Sequence, residues 1–109
     1  MEHKWEKEKR IEREKSILKY SDPLEASRKT KLYLGPNAQL FFSTRKDKKY
    51  MVQTPQGHWV HFGAMGYEDF TKHLDEKRRQ DYLKRSTNIK GNWKADKYSP
   101  NNLAIHILW

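Results

Sequence analysis

The chain has 109 residues, with 23 Lys and Arg against 14 Asp and Glu, a formal net charge of +9 and an isoelectric point near 9.8. Such a length fits one small domain, and such a charge fits an anionic partner: nucleic acid, acidic lipid headgroups or an acidic protein surface. The absence of cysteine excludes disulfides, thiolate zinc sites and cysteine nucleophiles; no apolar run approaches the roughly 18 residues of a membrane helix, and the opening Met1-Glu2-His3-Lys4-Trp5 lacks a secretory apolar segment, so a protein neither membrane-spanning nor secreted is expected.

Residues 2–19 consist almost wholly of good helix formers, with Glu6–Arg10 at i,i+4 and Glu6–Lys9 and Glu12–Lys15 at i,i+3. Trp5, Ile11, Ile17 and Leu18 provide only sparse apolar positions, so this helical arm (1–22) is expected to order against a protein partner or its own domain (23–109). Residues 1–20 carry seven bases against five acids, a net of +2, which is too balanced for a basic nucleic-acid tail.

Ser21-Asp22-Pro23 ends the first helix and offers Asp22 as N-cap and Pro23 at N1 of a short second one. Lys31-Leu32-Tyr33-Leu34 and Gln39-Leu40-Phe41-Phe42 flank Gly35-Pro36-Asn37 and are expected as strands. Tyr50–Thr54 and His58–Phe62 flank Pro55-Gln56-Gly57, the pattern of a β-hairpin. In its second strand His58, Val60 and Phe62 share one face, and Trp59 and His61 the other. Gly63-Ala64-Met65-Gly66 breaks the sheet, with positive φ expected for at least one glycine. A helix with Asp75 as N-cap runs to about Arg85. Asn88 to Ser99 reads as a loop pinned by Trp93, and Ser99-Pro100 caps a terminal helix from Leu103 to Trp109, an edge strand being the alternative. The expected architecture is thus α+β: a small antiparallel sheet of three or four strands over about 31–62, two packed helices at about 67–86 and 100–109, and an N-terminal helical arm. Fourteen aromatics, twelve of them after Lys31, supply the core, with Tyr67, Phe70, Leu74, Tyr82, Trp93 and Trp109 expected in it.

Two basic clusters stand out. Arg45, Lys46, Lys48 and Lys49 occupy a strand connection with Asp47 alone opposing them; they suit phosphate contacts, although lysines also protect exposed strand edges. On the helix that Asp75 caps, Arg78, Tyr82 and Arg85 fall on one stripe with Arg79 beside it, so guanidinium groups could bridge phosphates around a stacking tyrosine. The same helix also reads as a salt-laced packing element, since Asp75 and Asp81 stand four residues before Arg79 and Arg85. The candidate nucleic-acid contacts are therefore Arg45, Lys46, Lys48, Lys49, Arg78, Arg79 and Arg85. No recognised groove-reading module is visible, so contact is expected with the backbone.

Metal and catalytic signals are weak. His58 and His61 point to opposite faces of a strand, and no HxxxH or HExxH pattern appears. Asp69, His73 and Asp75 with His61 form the one set a metal-dependent nuclease would use. His73 otherwise reads as a helix-start histidine that hydrogen-bonds nearby backbone or carboxylate groups. No cofactor, no metal site and no enzymatic activity are expected.

Lys49-Tyr50-x-Val52, His61-Phe62-Gly63-Ala64, Gly66-Tyr67-Glu68-Asp69-Phe70-Thr71-x-His73-x-Asp75, Arg78-Arg79-x-x-Tyr82-x-x-Arg85 and Ile107-Leu108-Trp109 occur in this order. Over about residues 49–109 this composite resembles a small uncharacterised protein family encoded by large double-stranded DNA viruses, including giant viruses and some large phages. The chain departs from that pattern at Ser86, where the family has histidine, and at Asn101, Ala104 and Ile105, where it tends to have Gly and a Ser-Arg pair. The resemblance implies a setting: a small basic virus-encoded protein of the virion or infected-cell interior, packed with the genome or the particle. Its partners would be nucleic acid, DNA first, or capsid proteins, with a minor capsid or cement role as the alternative.

Overall fold

The computed structural model describes residues 3–109, so Met1 and Glu2, the start of the expected arm, lie outside the described residues. The order of elements is α1 (Lys4–Leu18), α2 (Pro23–Leu34), β1 (Phe41–Phe42), β2 (Lys48–Gln53), β3 (Trp59–Ala64), α3 (Phe70–His73), α4 (Glu76–Thr87), a 3₁₀ turn (Trp93–Ala95) and α5 (Pro100–Leu103), which widens into a π turn (Ala104–Leu108). The fold is α+β, with an N-terminal helix and a three-stranded antiparallel sheet in the order β1-β2-β3. The expected hairpin pairs Tyr50 with Phe62, Met51 with His61 and Val52 with Val60. No helix among the described residues is long and apolar enough to cross a membrane.

The stretch Lys31–Leu34, expected as a strand, is instead the last turn of α2. Asp22 accepts hydrogen bonds from the Leu24 and Glu25 amides and Pro23 occupies N1. Nothing in LEASRKTKLYL interrupts the helix until Gly35 takes φ +119°. The Leu-Tyr-Leu burst needs no sheet to bury it: Leu32 faces solvent, while Tyr33 and Leu34 pack against the core. The sheet is correspondingly smaller than expected, spanning 41–64 with β1 only two residues long. The anticipated break at Gly63 also comes later, since β3 runs through Ala64.

The core joins Tyr50, Val52 and Phe62 of the sheet to Ile17 and Ala26 of the first two helices and to Leu103, Ala104, Ile107 and Leu108 at the C-terminal end. Buried Ile17 and Ser21 make the last turn of α1 and its exit part of the folded body. Trp5, Ile11 and Leu18 stay exposed. Of the six residues expected in the core, only Trp109 packs against it; Phe70, Tyr82 and Trp93 are half-buried outside it, and Tyr67 is 71% and Leu74 68% exposed. Leu74 is left-handed (φ 55°), the corner that separates α3 from α4 and turns its side chain outward. The 67–86 region is consequently two helices, with Asp69 and Asp75 as their respective N-caps.

The terminal segment is helical, as Ser99-Pro100 implied: Ser99 Oγ accepts from the Asn102 amide. Its wide final turn closes through the Trp109 amide on the Ala104 carbonyl. The 88–99 loop is held less by its indole than by Asn102, whose buried amide donates to the Trp93 and Asp96 carbonyls at 2.9 Å. The Trp93 Nε1–H donates locally to the Ile89 carbonyl.

Candidate functional site

Lys49 and Asp69 show how one face of the molecule is built. Lys49, on β2, is only 2% exposed; its Nζ lies 3.2 Å from Asp69 Oδ2 and donates to the Tyr67 carbonyl at 2.5 Å. Asp69 also accepts from the Thr71 amide and hydroxyl through Oδ1. Thr71 Oγ1 in turn meets Ser21 Oγ at 3.2 Å and the Asp22 amide at 2.9 Å, and Tyr50 OH donates to Ser21 Oγ at 2.7 Å. This buried polar chain ties β2, the α1–α2 corner and α3 together. Desolvation pulls the Lys49 pKa below its ordinary value, opposed by the Asp69 charge, and desolvation pushes the Tyr50 phenol up. Lys49 is thus a structural cation and not the exposed phosphate contact expected of it.

In front of this network lies a groove of about 920 Å³ between the ends of β2 and β3, the 67–68 connection, α4 and the C-terminal turn. Phe62, Gly63, Ala104, Leu108 and Ile89 supply an apolar lining, and Tyr67, Tyr82 and Trp109 an aromatic one. Tyr82 and Trp109 stack with ring centroids 4.1 Å apart at 9°. Lys48, Arg78, Lys84 and Arg85 supply the cations, against Glu68 and Asp81. Gly63 is indispensable to this shape. Its φ is +83°, and a Cβ there would lie 2.8 Å from Leu108 Cδ1 and 3.3 Å from Lys49 Cβ.

The groove brings together residues some thirty positions apart in sequence. The stripe Arg78-Tyr82-Arg85 read from helical periodicity does face one side, and Lys48 joins it from the other cluster. Arg79 does not. Its Nε donates to the main-chain oxygen of Trp109 at 2.7 Å, its guanidinium lies over Phe70, and it pairs with Glu76 rather than Asp75, whose carboxylate is occupied as a cap. Arg78 pairs with Glu68 across the rim at 3.3 Å, both partners being well exposed. Arg85 forms no ion pair with Asp81 or any other described residue. Arg45 and Lys46 lie outside the groove on the exposed β1–β2 turn, where Arg45 pairs with Asp47 at 3.1 Å. Lys84 and Tyr67 belong to the groove without having stood out as binding residues in the sequence. Lys84 sits in a stretch whose solvent-facing positions look alike, and Tyr67 carries the signal of a core aromatic.

The four residues of the nuclease set are separately engaged. His61 Nδ1 bonds Ser43 Oγ at 2.7 Å, Asp69 serves Lys49 and Thr71, Asp75 caps α4, and His73 Nδ1 accepts from the Asp75 amide at 2.9 Å. Among the described residues no three metal-ligating side chains converge. Burial first, and the Arg78 charge second, lower the His73 pKa.

Residues 38–86 match a family of unknown function (DUF5754), a span that includes both basic clusters, Gly63 and the Lys49–Asp69 pair. No curated protein and no solved structure matches the chain.

Proposed function

We propose that the protein is a non-enzymatic binding protein that holds nucleic-acid backbone, DNA first, through Lys48, Arg78, Lys84 and Arg85, with Arg45 and Lys46 extending the contact. One observation carries this reading: cations from two distant stretches of sequence converge on the rim of one groove, most without strong internal partners. The Arg78–Glu68 pair is exposed and worth only about 0–1 kcal/mol, so a phosphate displaces Glu68 at little cost. Backbone contact of this kind depends on counterion release. The viral-family resemblance supplies the setting, a small protein packed with the genome of a large DNA virus.

The test is fluorescence anisotropy with labelled DNA across a salt series. Affinity is expected to fall steeply between about 50 and 200 mM salt. Arg78→Gln/Arg85→Gln should flatten the salt dependence by about one unit of slope for each guanidinium removed from a phosphate. Arg28→Gln, on α2 away from the groove, should change nothing. Absence of binding at the lowest salt would rule the reading out.

The exposed Trp5, Ile11 and Leu18 favour a second contact, in which the arm lies along a protein partner such as a capsid subunit, the minor-capsid alternative. Removal of residues 1–14, which spares Ile17, should abolish co-sedimentation with virions while leaving the fold intact. Unimpaired co-sedimentation would refute it.

A further inference from the structure

From the groove's lining we infer that its preferred occupant is single-stranded DNA, with an unstacked base lodged against Tyr67 and the apolar wall while flanking phosphates meet Arg78 and Arg85. This deepens the binding reading above and rests on it.

Three features separate this site from a merely basic surface. The groove of about 920 Å³ has a lining that mixes apolar side chains, Leu108 and Ile89 among them, with aromatic ones; a duplex offers phosphates to a surface but no free base face to fill such a space. Tyr67 is 71% exposed, yet its backbone is fixed, because its carbonyl accepts from the buried ammonium of Lys49 and Gly66 precedes it at φ +90°. An aromatic ring held in water on an anchored main chain is a prepared stacking platform. Finally, Arg78 and Arg85 line the same groove as this ring, two helical turns apart on α4. Aromatic platforms flanked by cations suit single strands, where stacking supplies affinity without sequence reading and charge tracks the backbone. Tyr82 is a poorer platform than Tyr67, because it is half-buried and Trp109 already covers one face of its ring.

The experiment compares a labelled oligothymidylate of about 12 nucleotides with a duplex of the same length, using the full chain at fixed low salt. The single strand is expected to bind about tenfold tighter. Tyr67→Ala should remove that advantage while leaving duplex affinity and thermal stability unchanged, since the exposed ring holds nothing in the core and the carbonyl that Lys49 needs remains. Ile89→Ser should act in the same direction more weakly. Equal affinity for both forms, or equal loss from both in Tyr67→Ala, would overturn the single-strand inference and leave backbone binding standing. Failure of either DNA to bind would overturn both. Displacement of the oligothymidylate by an equally charged oligoglutamate would also overturn the inference, because the groove would then be recognising an acidic peptide.

Discussion

Asp69→Asn isolates the charge of the buried pair from its geometry. The amide keeps an oxygen for the Thr71 amide and hydroxyl, so the α3 cap survives, but Lys49 loses its ion-pair partner in a site where it is 2% exposed. Removing one partner of a buried pair costs about 3–5 kcal/mol, because the remaining ion stays desolvated. Lys49 retains the Tyr67 carbonyl, which places the expected loss near the lower figure, about 3 kcal/mol. Against a total stability of about 5–15 kcal/mol, that is a large fraction, readable as a lower urea midpoint at unchanged m-value. Lys49→Met/Asp69→Asn removes both charges and should recover to within about 1 kcal/mol of the parent. The pH dependence has a definite sign. Burial lowers the Lys49 pKa in the folded chain, so the unfolded chain binds more protons between the folded and unfolded pKa values, and stability rises with pH across that window. Without Asp69 the folded pKa drops further, the window opens at lower pH, and the single variant should gain stability over a wider range than the parent on approaching alkaline pH. A loss below about 1 kcal/mol in Asp69→Asn, or a double variant no better than the single, would refute this account of the network.

Gly63→Ala should cost about 2–4 kcal/mol by chemical denaturation, since it combines a positive φ with crowding of the buried Leu108; a neutral effect would show that the groove floor yields freely. Ile17→Ala should cost about 2–4 kcal/mol although Ile17 belongs to the arm helix, whereas Ile11→Ala should cost little; equal effects would contradict the packing of Ile17 into the core. His73 should titrate by NMR below the ordinary histidine value of 6.5, and so should His106. Because their folded pKa values are lowered, the stability they contribute is present above 6.5 and is lost as pH falls from there through the folded values; midpoints at or above 6.5 would contradict the desolvation that lowers both.

What the sequence made legible was local. Asp22-Pro23, Asp75 and Ser99-Pro100 are cap chemistries that act within a few residues, and each lies where a helix starts. The Pro55-Gln56-Gly57 hairpin and the facing of Arg78, Tyr82 and Arg85 also follow from short-range rules, turn preference and helical period. The departures are tertiary. Lys31–Leu34 has the composition of a strand, but continuity with a well-capped helix outweighed its β propensity. Tyr67 and Leu74 have core composition, but the Gly66 turn and the left-handed Leu74 point them outward. Lys49 is indistinguishable from Lys46 and Lys48 as a letter in a basic run; only Asp69, twenty residues later, decides that it goes inside.

That distinction changes what the net charge of +9 means for binding. A cation can serve a ligand only if leaving its internal partner costs less than the new contact returns. Lys49 fails that condition, since its release would strand Asp69 in the core, and Arg79 is committed to the Trp109 main-chain oxygen and the Phe70 ring. Arg78 meets it, because its bond to Glu68 is solvent-exposed and weak, and Arg85 meets it without any exchange. The two kinds of cation are nevertheless coupled. The buried ammonium fixes the carbonyl of Tyr67, whose ring stands at the groove beside the outward guanidinium groups. If the groove holds a single strand as proposed, the inward lysine shapes the surface on which the outward cations act, and its loss should weaken binding to single strands more than binding to duplex.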